Sequence, residues 1–473
     1  MTSSVIVLLT LLVFTLLGYQ FNNADGRIEQ GGLVQFDSKP SGASVELNNM
    51  KLGSTTPTRT TPLAGDYSVK MSKQGYSPWQ KDVTVKAGGV LWLKYARLVP
   101  NDLLVTQVDR LKAVTSTAAS SNQKRYALIE DANKPVIKMY DLTQNEPSIK
   151  PKILTLPAAS YTTPESKKDQ SFSLMDWGSD NRYILLKHSY DSNKTEFLVV
   201  DTDDVSSSEN ITTSLGAKIS LPIFSVNSSR KLYGIVDGSI RKIDLGAATI
   251  SGPLVANVAE FSMYDNSTLV YSTKLDSKTK KRSVGYYTDG TSSPKVLRSY
   301  ADNGKVSLHV SLGKYYDDTY VSIAYDKSVE IMKTSGLPTS DSVQSVSLKS
   351  YATMVLPKDV QYLSTKTNGR FVVAQHGNSY SVYDIEIAKM TTTQLQSDKP
   401  ITQKLRWIDG FTLYSNSTGT IRIYEFDGTN QHDIMPSIPG QAATLSQNGK
   451  YMYTVSKDKK GATYLSRVTM VLN

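Results

Sequence analysis

The stretch Asn448-Gly449-Lys450-Tyr451 contains the pattern that decides the fold: a polar turn, a basic residue, and an aromatic residue that opens an apolar strand. Clear copies of the pattern are Asn122-Gln123-Lys124-Arg125-Tyr126, Ser179-Asp180-Asn181-Arg182-Tyr183, Asn227-Ser228-Ser229-Arg230-Lys231-Leu232 and Asn368-Gly369-Arg370-Phe371; weaker copies contain Leu269, Tyr320 and Phe411. These copies follow one another at an average spacing of about 46 residues, close to the length of a four-stranded propeller blade.

A second landmark follows most of these turns, namely an apolar strand that ends in aspartate. It is found at Met139-Tyr140-Asp141, Val199-Val200-Asp201, Lys242-Ile243-Asp244, Tyr383-Asp384 and Glu425-Phe426-Asp427. Because an aspartate side chain accepts hydrogen bonds from nearby backbone amides, we interpret these residues as turn formers and not as metal ligands. The alternation of apolar and polar residues in Ile421-Arg422-Ile423-Tyr424-Glu425-Phe426 independently predicts β-strands.

Residues 101–473 are therefore predicted to form an all-β ring, a β-propeller of eight blades. Seven blades are the alternative, because the fourth and fifth repeats are weak. After Tyr451 the chain has room for only two more strands, so the apolar segment Leu103-Leu104-Val105-Thr106 is expected to supply the missing strand. The pattern is similar to that of WD-repeat-like and TolB-like bacterial propellers, although no repeat has the full WD motif.

Residues 32–99 differ from the ring and contain short alternating runs separated by turn residues, which predict a small β-sandwich. The segments Pro40–Leu47, Leu52–Pro57, Leu63–Val69 and Lys73–Tyr76 resemble the PEGA domain of bacterial and archaeal surface proteins, with Ser41 in place of the family's glutamate. The resemblance implies an extracytoplasmic accessory module without catalytic residues. Its structural motif residues are Pro40, Gly42, Ala43, Gly53, Pro57, Gly65, Tyr67, Gly75 and Tyr76, in which the glycines are interpreted as turn formers.

Residues 1–24 are interpreted as a membrane anchor or a signal segment. The run from Val5 to Phe21 has no charge over 17 residues, and as a helix it would reach about 26 Å, so we expect a transmembrane helix that contacts the lipid bilayer through residues 5–21. A cleaved secretory signal and a buried core helix are the alternatives, although Gln20–Ala24 offers no good cleavage site.

The topology of this anchor rests on a weak charge signal. No Lys or Arg precedes the apolar run, whereas Arg27 and Lys39 follow it, so a literal application of the positive-inside rule would place the C-terminal part in the cytoplasm. Long domains, however, cross a membrane with little regard to charge. We therefore expect a single-pass protein of the cell membrane with the bulk of the chain extracytoplasmic. We also expect that Met1 is a late start and that a basic stretch lies upstream of it.

Composition excludes several kinds of chemistry. The chain has no cysteine, which excludes disulfides, thiolate metal sites, cysteine nucleophiles and a lipid attached through cysteine. The four histidines, His188, His309, His376 and His432, stand in different repeats and are interpreted as strand or surface residues. We expect no catalytic, cofactor-binding or metal-binding residues, although a propeller can assemble a site from the loops of several blades.

The net charge of +10 is spread along the chain. Its densest clusters, Lys274–Arg282 and Lys457–Lys460, lie between predicted strands and are expected to be exposed hairpin turns. Such turns would attract anionic headgroups or wall polymers only weakly, and we expect no nucleic-acid partner.

Together these features predict a membrane-anchored cell-surface binding or scaffold protein of a bacterium. Its propeller would present a face to an envelope protein or polysaccharide. The alternatives are a propeller-based extracytoplasmic enzyme acting on glycans, and an envelope assembly factor similar to TolB.

Overall fold

The computed structural model describes residues 5, 9, 12–14, 18–22, 26–144, 149–166, 169–341, 346–366, 368–397 and 401–472. From residue 18 onward the described ranges are strands and turns, with a single turn of α-helix at Ile211–Ser214 and 3-10 turns at Ala158–Ser160 and Val205–Ser207. The described part of the chain is therefore all-β, as predicted.

The predicted anchor is described only in part. Residues 5, 9 and 12–14 are helical, but Tyr19–Asn22 forms a strand that pairs with Arg27–Gln30. The prediction of one helix reaching Phe21 is therefore wrong, because Gly18 turns the chain at φ +81° and the following residues join a hairpin. Within the described ranges we find no helix with the length and apolar character needed to cross a membrane. The rest of the segment lies outside the described residues.

The region after this hairpin folds as a β-sandwich. One sheet contains the strands Leu33–Lys39, Thr58–Thr60 and Val90–Arg97, and the facing sheet contains Ser44–Leu47, Met50–Thr55, Gly65–Ser72 and Trp79–Val85. Tyr76–Ser77 pairs with Val99–Pro100. Both sheets contribute to one buried apolar cluster that includes Phe36, Val45, Met71, Trp79 and Leu93, which confirms the predicted sandwich.

The motif residues of the sandwich lie at its turns and in its core. Ala43 is fully buried, and Gly75 has a positive φ at the turn before Tyr76. The Tyr67 hydroxyl donates to the Leu63 carbonyl at 3.0 Å. The Tyr76 hydroxyl accepts the backbone N–H of Leu472, so this motif residue also contacts the end of the ring.

The first four blades of the ring are regular four-stranded antiparallel sheets. Blade 1 contains Ser116–Ala119, Arg125–Ile129, Val136–Asp141 and Lys152–Thr155. Blade 2 contains Gln170–Trp177, Tyr183–Tyr190, Lys194–Asp201 and Glu209–Asn210. Blade 3 contains Ile219–Ser225, Ser228–Val236, Ser239–Asp244 and Thr249–Ile250. Blade 4 contains Val258–Met263, Thr268–Thr273, Lys281–Thr288 and Lys295–Ala301.

The last four blades repeat this order. Blade 5 contains Leu308–Tyr315, Asp318–Tyr325, Ser328–Thr334 and Lys349–Val355. Blade 6 contains Tyr362–Thr365, Phe371–His376, Ser379–Asp384 and Lys389–Gln394. Blade 7 contains Arg406–Trp407, Thr412–Ser415, Thr420–Glu425 and His432–Pro436. Blade 8 contains Ala443–Leu445, Tyr451–Lys457, Thr463–Thr469 and, as its outer strand, Val105–Leu111.

The eight blades form a closed ring. Each blade shares one buried apolar cluster with the next, and blade 8 shares one with blade 1. Val105–Leu111 pairs with Thr463–Val468 and so joins the two ends of the ring. The prediction of eight blades is thus confirmed over seven, and the closing strand lies two residues later than predicted. Every aromatic or leucine anchor of the repeat lies in, or directly before, the second strand of its blade.

The two sequence landmarks meet in space at one end of the blades. The basic residue before the second strand faces the aspartate that ends the third strand. Arg182 and Asp201 form a two-pronged pair with distances of 2.9 and 2.6 Å, and Arg370 and Asp384 form another with distances of 2.9 and 2.7 Å. The aspartates also accept backbone amides of the following turn, as predicted, but their role as partners of the basic residue was not predicted.

The turn glycines of this repeat provide a matched test of packing between blades. Gly369 and Gly449 both have φ near +70°, but a Cβ on Gly369 would lie 2.1 Å from the Lys314 carbonyl oxygen of blade 5, whereas a Cβ on Gly449 would meet nothing within 4 Å. We expect Gly449→Ala to cost about 1 kcal/mol from backbone strain and Gly369→Ala about 2–4 kcal/mol, because backbone must also move. Urea unfolding of both variants measures this difference, and equal losses would contradict the described packing.

The sandwich is docked on one face of the ring. We call this the upper face, defined as the face at which the first and third strands of the blades end. Tyr95 of the sandwich stacks on Phe411 at 4.9 Å and meets Phe426 edge-on at 5.4 Å, and both of these phenylalanines lie in upper turns of blade 7. Arg97 donates to Asp409 at 2.5 Å in the same blade. The sandwich therefore lies over the upper ends of the last blades.

Candidate functional site

A polar cavity lies in the central channel of the ring, at its upper end. Its volume is about 580 Å³, within the range of about 300–1,000 Å³ typical of small-molecule sites. Residues from blades 1, 2, 6, 7 and 8 line it, which only a central position allows. The lining residues with the strongest chemical character are Gln123, Asp176, Trp177, Lys366, Arg406, Trp407 and Asp409.

Two cations of this cavity lack a carboxylate partner. The Arg406 guanidinium forms no hydrogen bond or ion pair with any described residue, although it extends along the wall of two adjoining cavities. The Lys366 ammonium lies 5.1 Å from the centre of the Trp407 ring, a cation–π contact. Burial lowers the pKa of Lys366, while the charge of Asp409 acts in the opposite direction. Both groups are therefore available to an anion in the channel.

The two indoles of the cavity occupy equivalent places in their blades, because Trp177 and Trp407 each end a first strand. Trp177 is 6% exposed, and its Nε1 donor has no hydrogen-bond partner among the described residues. A buried donor without a partner costs on the order of 1–3 kcal/mol, so a ligand acceptor at this point would recover that energy. The Trp407 ring stacks on the Phe371 ring with 6.0 Å between the ring centres, and this contact fixes its orientation.

The two carboxylates of the cavity differ in their environment. Asp409 is paired with Arg97 of the sandwich; burial alone would raise its pKa, but Arg97 and the amides of Phe411 and Thr412 lower it. Asp176 has no ion-pair partner within the described ranges and accepts only the Trp177 amide at 2.8 Å. Desolvation at the cavity wall raises the pKa of Asp176. Asp176 is thus the one carboxyl here that a ligand could engage directly.

The lower part of the channel contains a second polar cluster around a cavity of about 230 Å³. His309 Nδ1 lies 2.8 Å from Glu260 Oε1, and its Nε2 lies 3.2 Å from the Val360 carbonyl oxygen. Lys404 also lines this cavity, and burial lowers its pKa while Glu260 raises it. Lys404 stands two residues before Arg406, so both side chains lie on the channel face of one extended segment. The channel therefore presents cations at both levels.

The residues that the sequence singled out lie elsewhere. Each of the four histidines lies in a strand of a different blade, as predicted. In the part of the chain that the structure describes, no three His, Asp or Glu side chains form a group that could hold a metal ion. The basic clusters 274–282 and 457–460 include the hairpin turns between the second and third strands of blades 4 and 8.

His188 forms the most enclosed polar cluster of blade 2. Its ring lies between Phe172 at 4.2 Å and Tyr190 at 5.0 Å, and its Nδ1 lies 2.8 Å from Glu196 Oε1. Burial alone would raise the pKa of Glu196, but hydrogen bonds from His188, Thr162 and Asn210 lower it to about 2. This carboxylate therefore stabilises the fold at neutral pH.

The effect of pH follows from that shift. The contribution of Glu196 is present above its ordinary pKa of 4.5 and is lost as the pH falls through about 2. We expect Glu196→Gln to lower the free energy of unfolding at pH 7 by on the order of 2 kcal/mol and to flatten its fall between pH 4.5 and 2. Urea unfolding across this pH range measures the effect, with the exposed Glu165→Gln as control. An acid limb unchanged from that of the control would contradict the assignment.

The sequence did not single out any of the cavity residues as a candidate binding residue, and Gln123 was quoted only as part of a repeat turn. Asp176 and Arg406 are far apart in the chain and are brought together only by closure of the ring. One feature of the sequence could have identified the two tryptophans as channel residues. Trp177 and Trp407 each stand a few residues before a turn of the repeat, and in a closed ring this position faces the central axis.

Comparisons with known proteins match one region of the chain to a family model and find similar solved structures. Residues 32–100 match the family model of the PEGA domain. No curated protein matches the chain. Similar solved structures include an oligogalacturonate lyase in complex with manganese, at 12% identity and a TM-score of 0.41, with 77% of this chain and 98% of that chain covered.

Two further structures are similar at the same level. KlHsv2 with loop 6CD replaced by a Gly-Ser linker has 11% identity and a TM-score of 0.40, with 75% of this chain and 96% of that chain covered. Dipeptidyl peptidase 4 of Porphyromonas gingivalis has 13% identity and a TM-score of 0.46, with 76% of this chain and 58% of that chain covered. The chain thus contains a PEGA domain at residues 32–100 and is similar to propeller-like proteins.

Proposed function

We propose that this chain is an extracytoplasmic binding protein of a bacterial cell surface, which binds its ligand in the upper cavity of the channel. The observation that carries the proposal is the set of uncommitted polar groups in one cavity: the Arg406 guanidinium, the Trp177 indole donor and the Asp176 carboxyl. The PEGA domain, a module of surface proteins by the resemblance above, supports the location, and the N-terminal apolar segment would serve as the membrane tether.

The docking of the PEGA domain supports a role in presenting this cavity. Because Arg97 pairs with Asp409, a residue of the PEGA domain is bonded to a residue that lines the cavity. The domain therefore lies beside the cavity on the upper face and fixes the orientation of the ring relative to the N-terminus. A ligand held there would lie on the tethered side of the molecule.

A second candidate function is an enzyme acting on glycans, and the raised pKa of Asp176 favours it. A carboxyl that stays protonated above its ordinary range is suited to act as a general acid. The usual pair of carboxylates for glycoside hydrolysis is incomplete in this cavity, because Asp409 is held by Arg97. Turnover of a glycan by the wild-type protein that is abolished in Asp176→Asn would favour the enzyme, whereas binding by the wild-type protein without turnover would favour the binding protein.

The test is capture of envelope components by the full chain, purified in detergent, and by two charge-matched variants. Arg406→Ala with Lys366→Ala removes the cations of the upper cavity, and Lys459→Ala with Lys460→Ala removes the same charge from a hairpin of blade 8 on the lower face. We expect an envelope polysaccharide or protein to be retained by the wild type and the control pair and lost by the cavity pair. Equal retention by all three proteins would contradict the cavity as the binding site.

The tether is tested separately by cell fractionation. Removal of residues 5–17 is expected to move the chain from the membrane fraction to the soluble fraction. Retention in the membrane fraction without this segment would refute the proposed tether and leave the cavity proposal intact.

A further inference from the structure

The charges of the channel indicate the sign of its ligand. Lys366, Lys404 and Arg406 line the channel wall, and none of them forms an ion pair with a carboxylate in the described ranges. Of the carboxylates, Asp409 is neutralised by Arg97 and Glu260 is bonded to His309, which leaves Asp176 alone without a partner. Arg406 and Lys366 therefore give the upper cavity an excess of uncommitted positive charge, which attracts an anion.

The geometry of the Arg406 guanidinium indicates which class of anion would bind in the upper cavity. A guanidinium presents a planar fork of donors that fits a carboxylate or a phosphate with two parallel hydrogen bonds. No described protein group occupies this fork, and Lys366 lies in the same cavity to provide a second positive charge. The site is therefore built for an oxyanion and not for a halide or a neutral group.

The remaining walls indicate what carries the anion. The partly exposed indole of Trp407 offers an apolar surface, and Trp177 Nε1, which has no partner among the described residues, offers a donor for a hydroxyl. Sugar rings match both the apolar indole surface and the hydrogen-bond donor. Their C–H faces pack on indoles, and their hydroxyl groups accept and donate hydrogen bonds. A cavity of about 580 Å³ has room for a short stretch of sugar units but not for a folded protein.

Building on the proposed function, we propose that the ligand of the upper cavity is an anionic glycan, whose carboxylate or phosphate pairs with Arg406 and Lys366 while a sugar ring packs on Trp407 and a hydroxyl accepts from Trp177 Nε1. A single-stranded nucleic acid has a similar combination of charge and flat rings. However, its high charge density would be opposed by Asp176 within the same cavity. An acidic polysaccharide, with about one charge per ring, fits the cavity better.

The test is calorimetric titration of the full chain with matched sugars. The probes are a mannuronate tetramer against the neutral mannose tetramer, and mannose 6-phosphate against mannose. We expect at least one anionic sugar to bind about tenfold more tightly than its neutral counterpart, which corresponds to a charge-assisted pair. A preference for mannuronate alone would identify a carboxylate as the anion, and a preference for mannose 6-phosphate alone would identify a phosphate.

Three variants test which residues produce the preference for an anionic sugar. Arg406→Gln is expected to remove the preference for the anionic sugar, and Trp177→Phe to weaken every sugar severalfold by removing the free donor. Trp92→Phe in the PEGA domain, outside the channel, is the control and should change nothing.

Equal or tighter binding of the neutral sugars, an anionic preference that survives Arg406→Gln, or tighter binding of single-stranded oligothymidylate would overturn the proposal. Failure of every sugar to bind would also overturn it. In that case the proposed function would stand only if capture of an envelope component still depended on Arg406 and Lys366, so the two failures can be told apart.

Discussion

Replacing Lys81 with methionine is expected to lower the free energy of unfolding by about 3–5 kcal/mol, the usual cost of leaving buried carboxylates without their cation. The Lys81 ammonium is bonded to Glu425 and lies 2.8 Å from Asp427, and the side chains of Lys81 and Glu425 are less than one-tenth exposed. The same ammonium lies 4.6 Å from the Phe426 ring. Lys81 is therefore the central cation of the joint between the PEGA domain and blade 7.

The pKa shifts agree with this role. Burial by itself would lower the pKa of Lys81, but Tyr95, Glu425 and Asp427 raise it above its ordinary value. Burial raises the pKa of Glu425, which Lys81 opposes. Without Lys81, both carboxyl groups would have to take up protons or admit water, and the docking surface would open.

Urea unfolding followed by hydrogen–deuterium exchange measures this prediction, because it reports the PEGA domain and the ring separately. Lys70→Met is the matched control: Lys70 lies in the same domain, 3.9 Å from Glu46, with a side chain that is 42% exposed, so its loss should cost about 1 kcal/mol or less. Adding Glu425→Gln to Lys81→Met should restore part of the stability. A Lys81→Met protein as stable as the control would refute the assigned role.

Replacing Arg370 with methionine is expected to have an effect of similar size, about 3 kcal/mol or more. Arg370 holds Asp384 with two hydrogen bonds and is also paired with Glu386, while its guanidinium lies 4.9 Å from the Phe371 ring. The Asp384 side chain is only 4% exposed. The variant would leave this carboxylate buried at the upper end of blade 6.

Arg422→Met in blade 7 is the control, because Arg422 forms the same kind of two-pronged pair with Asp433 on the surface. The Asp433 side chain is 53% exposed, so water can replace the lost partner and the expected cost is about 1 kcal/mol or less. Thermal unfolding of both variants gives the comparison. Similar losses for the buried and the exposed pair would show that burial does not determine the strength of these repeat contacts.

The features that the sequence predicted are those that repeat locally. A turn, a basic residue and an anchor stand within a few positions of one another, so the second strand of each blade can be recognised from the sequence alone. The strand from Val105 could be predicted because ring closure requires a partner for Thr463–Thr469. The predicted helix to Phe21 was wrong at its end, because hydropathy does not register the hairpin formed with Arg27–Gln30.

The features that the sequence could not predict depend on closure and docking. Lys81 stands in a strand whose sequence is equally typical of a solvent-exposed sheet edge. Only the docking of that strand on blade 7 buries Lys81 beside Glu425. Likewise Asp176 and Trp177 of blade 2 belong to a different repeat from Arg406 of blade 7, and the two groups meet only at the channel axis. Periodicity identifies the faces of a strand, but it does not tell which strand ends will converge.

The most direct measurement of the central claim, that the upper cavity is the ligand site, is a double-mutant cycle between Arg406 and the charge of the ligand. The affinities of wild-type protein and Arg406→Gln are measured for the mannuronate tetramer and for the neutral mannose tetramer. We expect a coupling energy of about 1 kcal/mol or more between the guanidinium and the carboxylate. A coupling energy of zero, with the anionic sugar still bound, would place the ligand elsewhere and contradict the account.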